Sequence, residues 1–255
     1  MAVNDPKDWC RQLRQHLESL QAAGVLFVPR AEALVPEMAV PAADATGRQT
    51  PATSEASDPR EARRVALAAL ATEVAACSRC SELFASRTQT VFGTGPLDAA
   101  IAFVGVAPDS DEDAHGEPFV GRTGQRLNRM IAACGFTREQ VYLLNIIKCR
   151  TPKNRIPTNA ECLNCRDYFQ RQFDVIAPQY VVALGAFVAK LLTHKNAPLA
   201  ELRGVVHQYR GKPLICTHHP KDIDNDKTDT LRRQTWEDLK LLLRTMGRPI
   251  PNTAG

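Results

Sequence analysis

Apolar residues recur along this chain with two different periods. Over residues 6–23, Trp9, Leu13, Leu17 and Leu20 step by three and four, the stripe of an amphipathic helix. Gly24 follows as a C-cap. From residue 61 the pattern alternates between helical stripes and short apolar runs. Helices are predicted over 61–76 and 123–134, the second carrying Leu127, Met130 and Ile131 on one face with Gly135 as its stop. A third runs from about 159 to 172, a fourth follows the strand at 180, and a last spans 229–246 with Leu231, Trp236, Leu239, Leu243 and Met246. Strands are predicted at Ala100–Val104, Val141–Ile146, Tyr180–Leu184 and Pro213–Thr217. Thr137 to Gln140 and Thr158 to Glu161 have capping-box spacing. Strands alternating with helices predict a three-layer α/β/α fold around a mostly parallel four-stranded sheet.

Residues 26–60 interrupt this order. Residues 36–60 are rich in Pro, Ala, Ser, Thr and Asp without a period, the composition of a flexible linker. The expected organisation is an N-terminal helix in 1–25, a linker at 26–60, a domain at 61–247 and a tail at 248–255. A lone short helix is marginal in water, so the stripe at 6–23 needs a surface, either the chain's own domain or a protein partner.

Charge and cysteine content sharpen the picture. The net charge is +4, with 6 Lys/Arg against 8 Asp/Glu in residues 1–60 and 26 against 20 in the rest. A basic excess on the folded part is mildly consistent with a polyanion partner. No apolar run approaches the roughly 18 residues of a membrane span, and the polar start Met1–Asp5 lacks the layout of a signal peptide. The expectation is a cytoplasmic protein with no membrane association. Eight cysteines in a reducing compartment argue for metal rather than disulfides. Cys77 and Cys80 form a C-x2-C knuckle. Cys162 and Cys165 complete a zinc-like set, or Cys149 and Cys165 complete an iron–sulfur set; spacing leaves both open. Cys10, Cys134 and Cys216 sit within apolar patterns and read as buried thiols.

In parallel sheets, ligands bind beyond the carboxyl ends of the strands. There the sequence places Gly105-Val106-Ala107-Pro108-Asp109, Gly116-Glu117-Pro118-Phe119-Val120-Gly121, Asn145 with Lys148-Cys149-Arg150, Gly185, and His218-His219-Pro220.

These segments carry a specific resemblance. The run Gly105 to Leu127, G-V-A-P-D-S-D-E-D-A-H-G-E-P-F-V-G-R-T-G-Q-R-L, resembles the first motif of the iron–sulfur (family four) uracil-DNA glycosylases, G-E-A-P-G-x-x-E-D…G-x-P-F-V-G-x-A-G-x-L-L. Asn145 to Pro157, N-I-I-K-C-R-T-P-K-N-R-I-P, resembles their N-x-x-K-C-R-P-P-x-N-R-x-P. Cys77-x2-Cys80 with Arg87 and Gly93-Thr94-Gly95 fits their N-terminal block, and His219-Pro220 fits the start of their third motif. The match covers about residues 73–246.

The resemblance implies a uracil-DNA glycosylase-like fold acting on uracil-containing DNA as a monomer. It implies a structural [4Fe–4S] cluster on Cys77, Cys80, Cys149 and Cys165. It implies a uracil pocket made of Gly105, Val106, Ala107, Pro108, Asp109, Phe119, Asn145 and His219. Phe119 would stack on the flipped base, Asn145 would read its O4/N3 edge, and His219 would stabilise the charge that develops at O2. Lys148, Arg150, Lys153 and Arg155 would meet phosphates and Ile223 would wedge the duplex.

Two departures bear on activity. Val106 stands where the family has a glutamate that orients water, and Asp109 stands where it has glycine. Lys221, Asp222, Asp224 and Asp226 replace a small residue and leucines after His219-Pro220. The alternative reading is a catalytically retired family member that binds nucleic acid or a protein. Glu112-Asp113 matches a family pair and is expected to be structural.

Overall fold

A computed structural model of the chain describes residues 58–251. The predictions for 1–57 and for 252–255 lie outside the described residues. The first described helix, α1, is Pro59–Ala75. Asp58 caps it by accepting from the Arg60 N–H, and proline at its first position needs no N–H partner there. A short helix α2, Ser81–Ser86, follows the Cys77–Cys80 knuckle. Then come β1 (Ile101–Gly105), α3 (Ser110–His115), α4 (Gly121–Ala133), β2 (Tyr142–Asn145), α5 (Asn159–Ile176) and β3 (Tyr180–Leu184). The chain continues through α6 (Ala186–Thr193), α7 (Leu199–Leu202), β4 (Val206–Tyr209), β5 (Lys212–Thr217), α8 (Pro220–Asn225) and α9 (Thr230–Thr245).

The strands form one sheet in the order β2-β1-β3-β5-β4. The first four of that order are parallel, as predicted. The fifth was not predicted: β4 runs antiparallel to β5 at the edge, so the sheet has five strands rather than four. Only His207 and Tyr209 of its four residues are buried, too short an alternation to stand out in sequence. Its turn was legible after the fact. Arg210 and Gly211 have φ of 47° and 74°, the two left-handed residues that a tight hairpin demands.

Alternation along the strands builds two cores. Ala102, Val104, Tyr142, Leu144, Val181, Ala183, Leu214 and Cys216 face α5, α6 and α7. Ile101, Phe103, Leu143, Val182, Leu184 and Ile215 face α4 and α9. Buried on both faces, the parallel strands read as continuous apolar runs. Helix α1 adds Leu70 and Val74 against Tyr168 of α5. Its Arg63 also donates to the carbonyls of Val175 and Ile176 at 2.8 and 2.7 Å, satisfying acceptors that the end of α5 leaves free.

Candidate active site at the carboxyl ends of the strands

Register puts the candidate residues side by side. Gly105, the last residue of β1, pairs with Asn145, the last of β2. A Cβ on Gly105 would lie 2.2 Å from Asn145 Oδ1 and 2.6 Å from Phe119 Cζ, so the missing side chain is what lets the amide and the ring approach. The Phe119 and His219 ring centroids are 6.4 Å apart. Gly185 follows β3 with φ +90°, and a Cβ there would sit 3.1 Å from His219 Cβ. Gly105, Phe119, Asn145 and His219, picked from four separate segments of sequence, thus meet in one place.

Phe119 has φ +53° and is buried. For an aromatic residue that backbone is costly, and the surroundings must hold it. Arg138 does so by donating to the carbonyls of Pro118 and Phe119 at 2.6 and 3.0 Å. Helix α4 runs close beneath: a Cβ on Gly124 would lie 1.8 Å from Phe119 O. The Phe119 N–H donates to Glu112 Oε1.

Glu112 is the residue that sequence reading undervalued. It is buried. Its Oε2 accepts from the Asp109 N–H at 2.9 Å and from Asn145 Nδ2 at 3.5 Å. Burial, with the Asp109 charge nearby, pushes its carboxyl up to about 7. Its neighbour Asp113 is buried and accepts twice from the Thr88 N–H.

His219 heads α8. Its Nδ1 accepts from the Lys221 N–H at 3.2 Å, so the ring proton of the neutral form sits on Nε2. Burial pulls its pKa below the ordinary 6.5, which keeps it neutral at pH 7. His218 turns away to Gln234 at 2.8 Å. Asp109 caps α3: its Oδ1 accepts from the N–H groups of Asp111 and Glu112, both at 3.0 Å. Its charge also reaches the His219 ring. Val106 and Ala107 are half-buried and pack on the apolar core, and Pro108 is buried. Val106 offers the site only backbone: its carbonyl accepts from the Ile147 N–H at 3.1 Å.

Two of the expected DNA contacts are corrected. Lys148 is only 1% exposed, and its Nζ donates to Phe92 O, Asn145 O and Gln172 Oε1 at 3.1, 2.9 and 2.6 Å. A buried ammonium must find partners, and these consume all three of its donors. Ile223 is 5% exposed and belongs to the core beside α4 and α9, so it has no free apolar surface to wedge a duplex. Arg155 forks onto Glu161 and also meets Glu82, which neutralises most of its charge. Arg150 reaches Asn154 at 3.1 Å, and Lys153 is exposed. Two of the three aspartates after His219 are also occupied. Asp224 pairs with Arg126 and Arg122, and Asp226 accepts from the N–H groups of Thr228 and Leu231.

The knuckle and the 149–165 segment come together. Cys149 lies within electrostatic range of Cys77 and Cys80, and Cys165 within range of Cys149 and Cys80. Cys162 has Cys80 as a thiol neighbour. Arg87 donates to Cys149 Sγ at 3.0 Å and Asn164 to Cys80 Sγ at 3.4 Å. Among the described residues, no three His, Cys, Asp or Glu side chains stand close enough to hold a single metal ion.

A family model described as the uracil DNA glycosylase superfamily matches residues 92–240, the segment that supplies the whole sheet and every residue of this pocket. The chain is 38% identical over 166 residues to a type-4 uracil-DNA glycosylase of Thermotoga maritima, covering 64% of this chain and 86% of that one. It is 39% identical over 187 residues to a type-4 uracil-DNA glycosylase of Archaeoglobus fulgidus, covering 70% and 92%. A type-5 uracil-DNA glycosylase of Pyrobaculum aerophilum is 29% identical over 168 residues, covering 57% and 71%. The chain belongs to the uracil-DNA glycosylase superfamily, in its type-4 family.

Proposed function

We propose that this chain hydrolyses the N-glycosidic bond of uracil in DNA and leaves an abasic site. The observation that carries the reading is the convergence of Gly105, Phe119, Asn145 and His219 at the strand ends, in a chain whose relatives are named uracil-DNA glycosylases. A base inside a duplex is out of reach, so the substrate is a flipped nucleotide. Phe119 gives the base a face to stack on, a contact that contributes about 1–3 kcal/mol. Asn145 reads the edge: Oδ1 accepts from N3–H and the second Nδ2 hydrogen goes to O4. Cytosine presents the opposite pattern and is refused.

Bond cleavage puts negative charge on the departing base. The Nε2–H of His219 donates to O2 as that charge forms. A neutral donor fixed in advance needs no reorganisation. Val106 supplies no acid to activate water, and Asp109 spends Oδ1 on its cap. Most of the rate then rests on stabilising the leaving group rather than on general-base catalysis.

The same proposal assigns Cys77, Cys80, Cys149 and Cys165 to a [4Fe–4S] cluster. Cys149 has Cys77 and Cys80 as thiol neighbours and Cys165 has Cys149 and Cys80, an arrangement that supports a shared cluster on the four thiols. The Arg87 N–H on Cys149 favours the thiolate that ligation needs. When bound, the group ties the end of α1 to the 149–165 segment; its part is structural. Of the basic side chains there, exposed Lys153 and half-buried Arg150 are the ones assigned to phosphate. No helix among the described residues is long and apolar enough to cross a membrane.

The valine at 106 favours one second reading, a binding module without catalysis. A nicking assay separates the two. Anaerobically purified protein is incubated with a uracil-containing oligonucleotide and the product treated with alkali. Scission at the uracil, from protein carrying about four iron and four sulfide per chain, is the expected result. Gel retardation of the DNA with no scission would favour the binding module, and one zinc per chain would remove the cluster.

A further inference from the structure

We infer that Glu112 is a positioning residue of the uracil pocket: one buried carboxylate fixes the reading amide, the stacking ring and the turn at Asp109 relative to one another. This rests on the glycosylase reading of the pocket.

The geometry supplies the argument. Three donors from three different walls end on this one side chain: Asn145 Nδ2, at the end of β2, and the backbone N–H groups of Asp109 and Phe119. A carboxylate is acceptor-only when ionised. It therefore forces the NH2 end of Asn145 toward itself and leaves Oδ1 on the Gly105 side, where N3–H of uracil would be met. That choice decides uracil over cytosine. The same side chain holds the N–H of Phe119 while Arg138 holds its carbonyl, so the unfavourable φ of the ring residue is clamped from both sides. An acceptor is also supplied to Asp109 N–H, closing the capping box that starts α3.

The cost of this arrangement is a buried charge. The charged groups facing Glu112 are Asp109 from the cap of α3, which opposes its ionisation, and Arg138 from the segment before β2, which favours it. Burial dominates and lifts the carboxyl to about 7. Protonated Glu112 turns one oxygen into a donor and a weaker acceptor, which weakens its hold on the three N–H partners. The pocket is therefore ordered above that pH and loosens below it. Burial also holds the His219 pKa below its ordinary value, so the Glu112→Gln variant is what separates the two groups.

The test uses the whole cluster-loaded chain and its Glu112→Gln variant. First, the backbone amide resonances of Asp109 and Phe119 are followed by 1H–15N NMR against pH. In the wild type they are expected to titrate together, with one midpoint near 7; in Glu112→Gln neither titrates there. This readout does not depend on catalysis. Second, single-turnover uracil release is measured over the same pH range. The variant is expected to be slower by about 10- to 100-fold, the range for one unmet buried hydrogen bond. It is also expected to lack the acid limb near 7, with a melting temperature close to the wild type's, since the charge it no longer buries offsets the hydrogen bond it loses. Glu112→Asp keeps the charge and is expected to keep an acid limb.

Amides that titrate together in a protein that releases no uracil would uphold the positioning role and reject the glycosylase reading. Independent titration of the two amides would overturn the inference. So would a Glu112→Gln enzyme that keeps the acid limb, or one whose lost rate is matched by a lowered melting temperature.

Discussion

Replacing His219 with alanine is expected to slow uracil release about 100- to 1000-fold, the usual cost of deleting one donor to a developing oxyanion. The reasoning runs from the start of α8. Lys221 N–H occupies Nδ1, so a neutral ring has its proton on Nε2. Burial lowers the pKa, so the ring is neutral at working pH and acts as a hydrogen-bond donor to O2. The loss falls on the chemical step, because O2 of the intact nucleotide carries little charge; single-turnover rate drops while DNA affinity stays. Alanine also removes the cap of α8, which costs about 1 kcal/mol of stability. His219→Asn keeps a capping acceptor and is expected to lose rate without losing stability. Rates within a few-fold of wild type for both variants would remove His219 from the chemistry.

Gly105→Ala is expected to abolish most activity with a modest effect on the fold. The backbone at Gly105 is ordinary strand, so the objection to a side chain is space alone. The added carbon would stand 2.2 Å from Asn145 Oδ1 and 2.6 Å from the Phe119 ring. Both are side-chain atoms and can move, but these are the two groups assigned to read and stack the base. A displacement of about 1 Å in such groups costs about 100-fold in rate, whereas overpacking of this kind costs about 1–3 kcal/mol in stability. Thermal melting and uracil release measured on one preparation test the split. An active Gly105→Ala enzyme would mean the base does not sit between Asn145 and Phe119.

The layers of the fold were legible because the parallel strands are buried on both faces and stand out as apolar runs between helical stripes. Strand β4 was not, because a half-exposed four-residue edge strand has too little pattern. Motif residues at strand ends were legible for a physical reason: a parallel register brings every strand's carboxyl end to one crevice, so Gly105, Asn145 and His219 needed no contact information to be grouped. Side-chain direction was what the sequence withheld. Lys148 and Arg155 look like a basic DNA-binding loop when counted along the chain, yet one is buried among carbonyls and the other is neutralised by Glu161 and Glu82. Ile223 looks exposed among aspartates and is core. Glu112 was passed over because, beside Asp113, it matches a family pair that is expected to be structural. The capping-box spacing from Asp109 was a usable signal for its inward turn, but its bonds to Phe119 and Asn145 come only from the fold.

The central claim is that this pocket releases uracil although valine stands at position 106. The most direct measurement is the amount of free uracil produced in a single turnover, with cluster-loaded wild-type protein in excess over a single-uracil oligonucleotide. One uracil freed per strand, matched by one alkali-labile site, is the expected result. DNA that is fully bound and yields no free base would contradict the account and leave the pocket as a recognition surface alone.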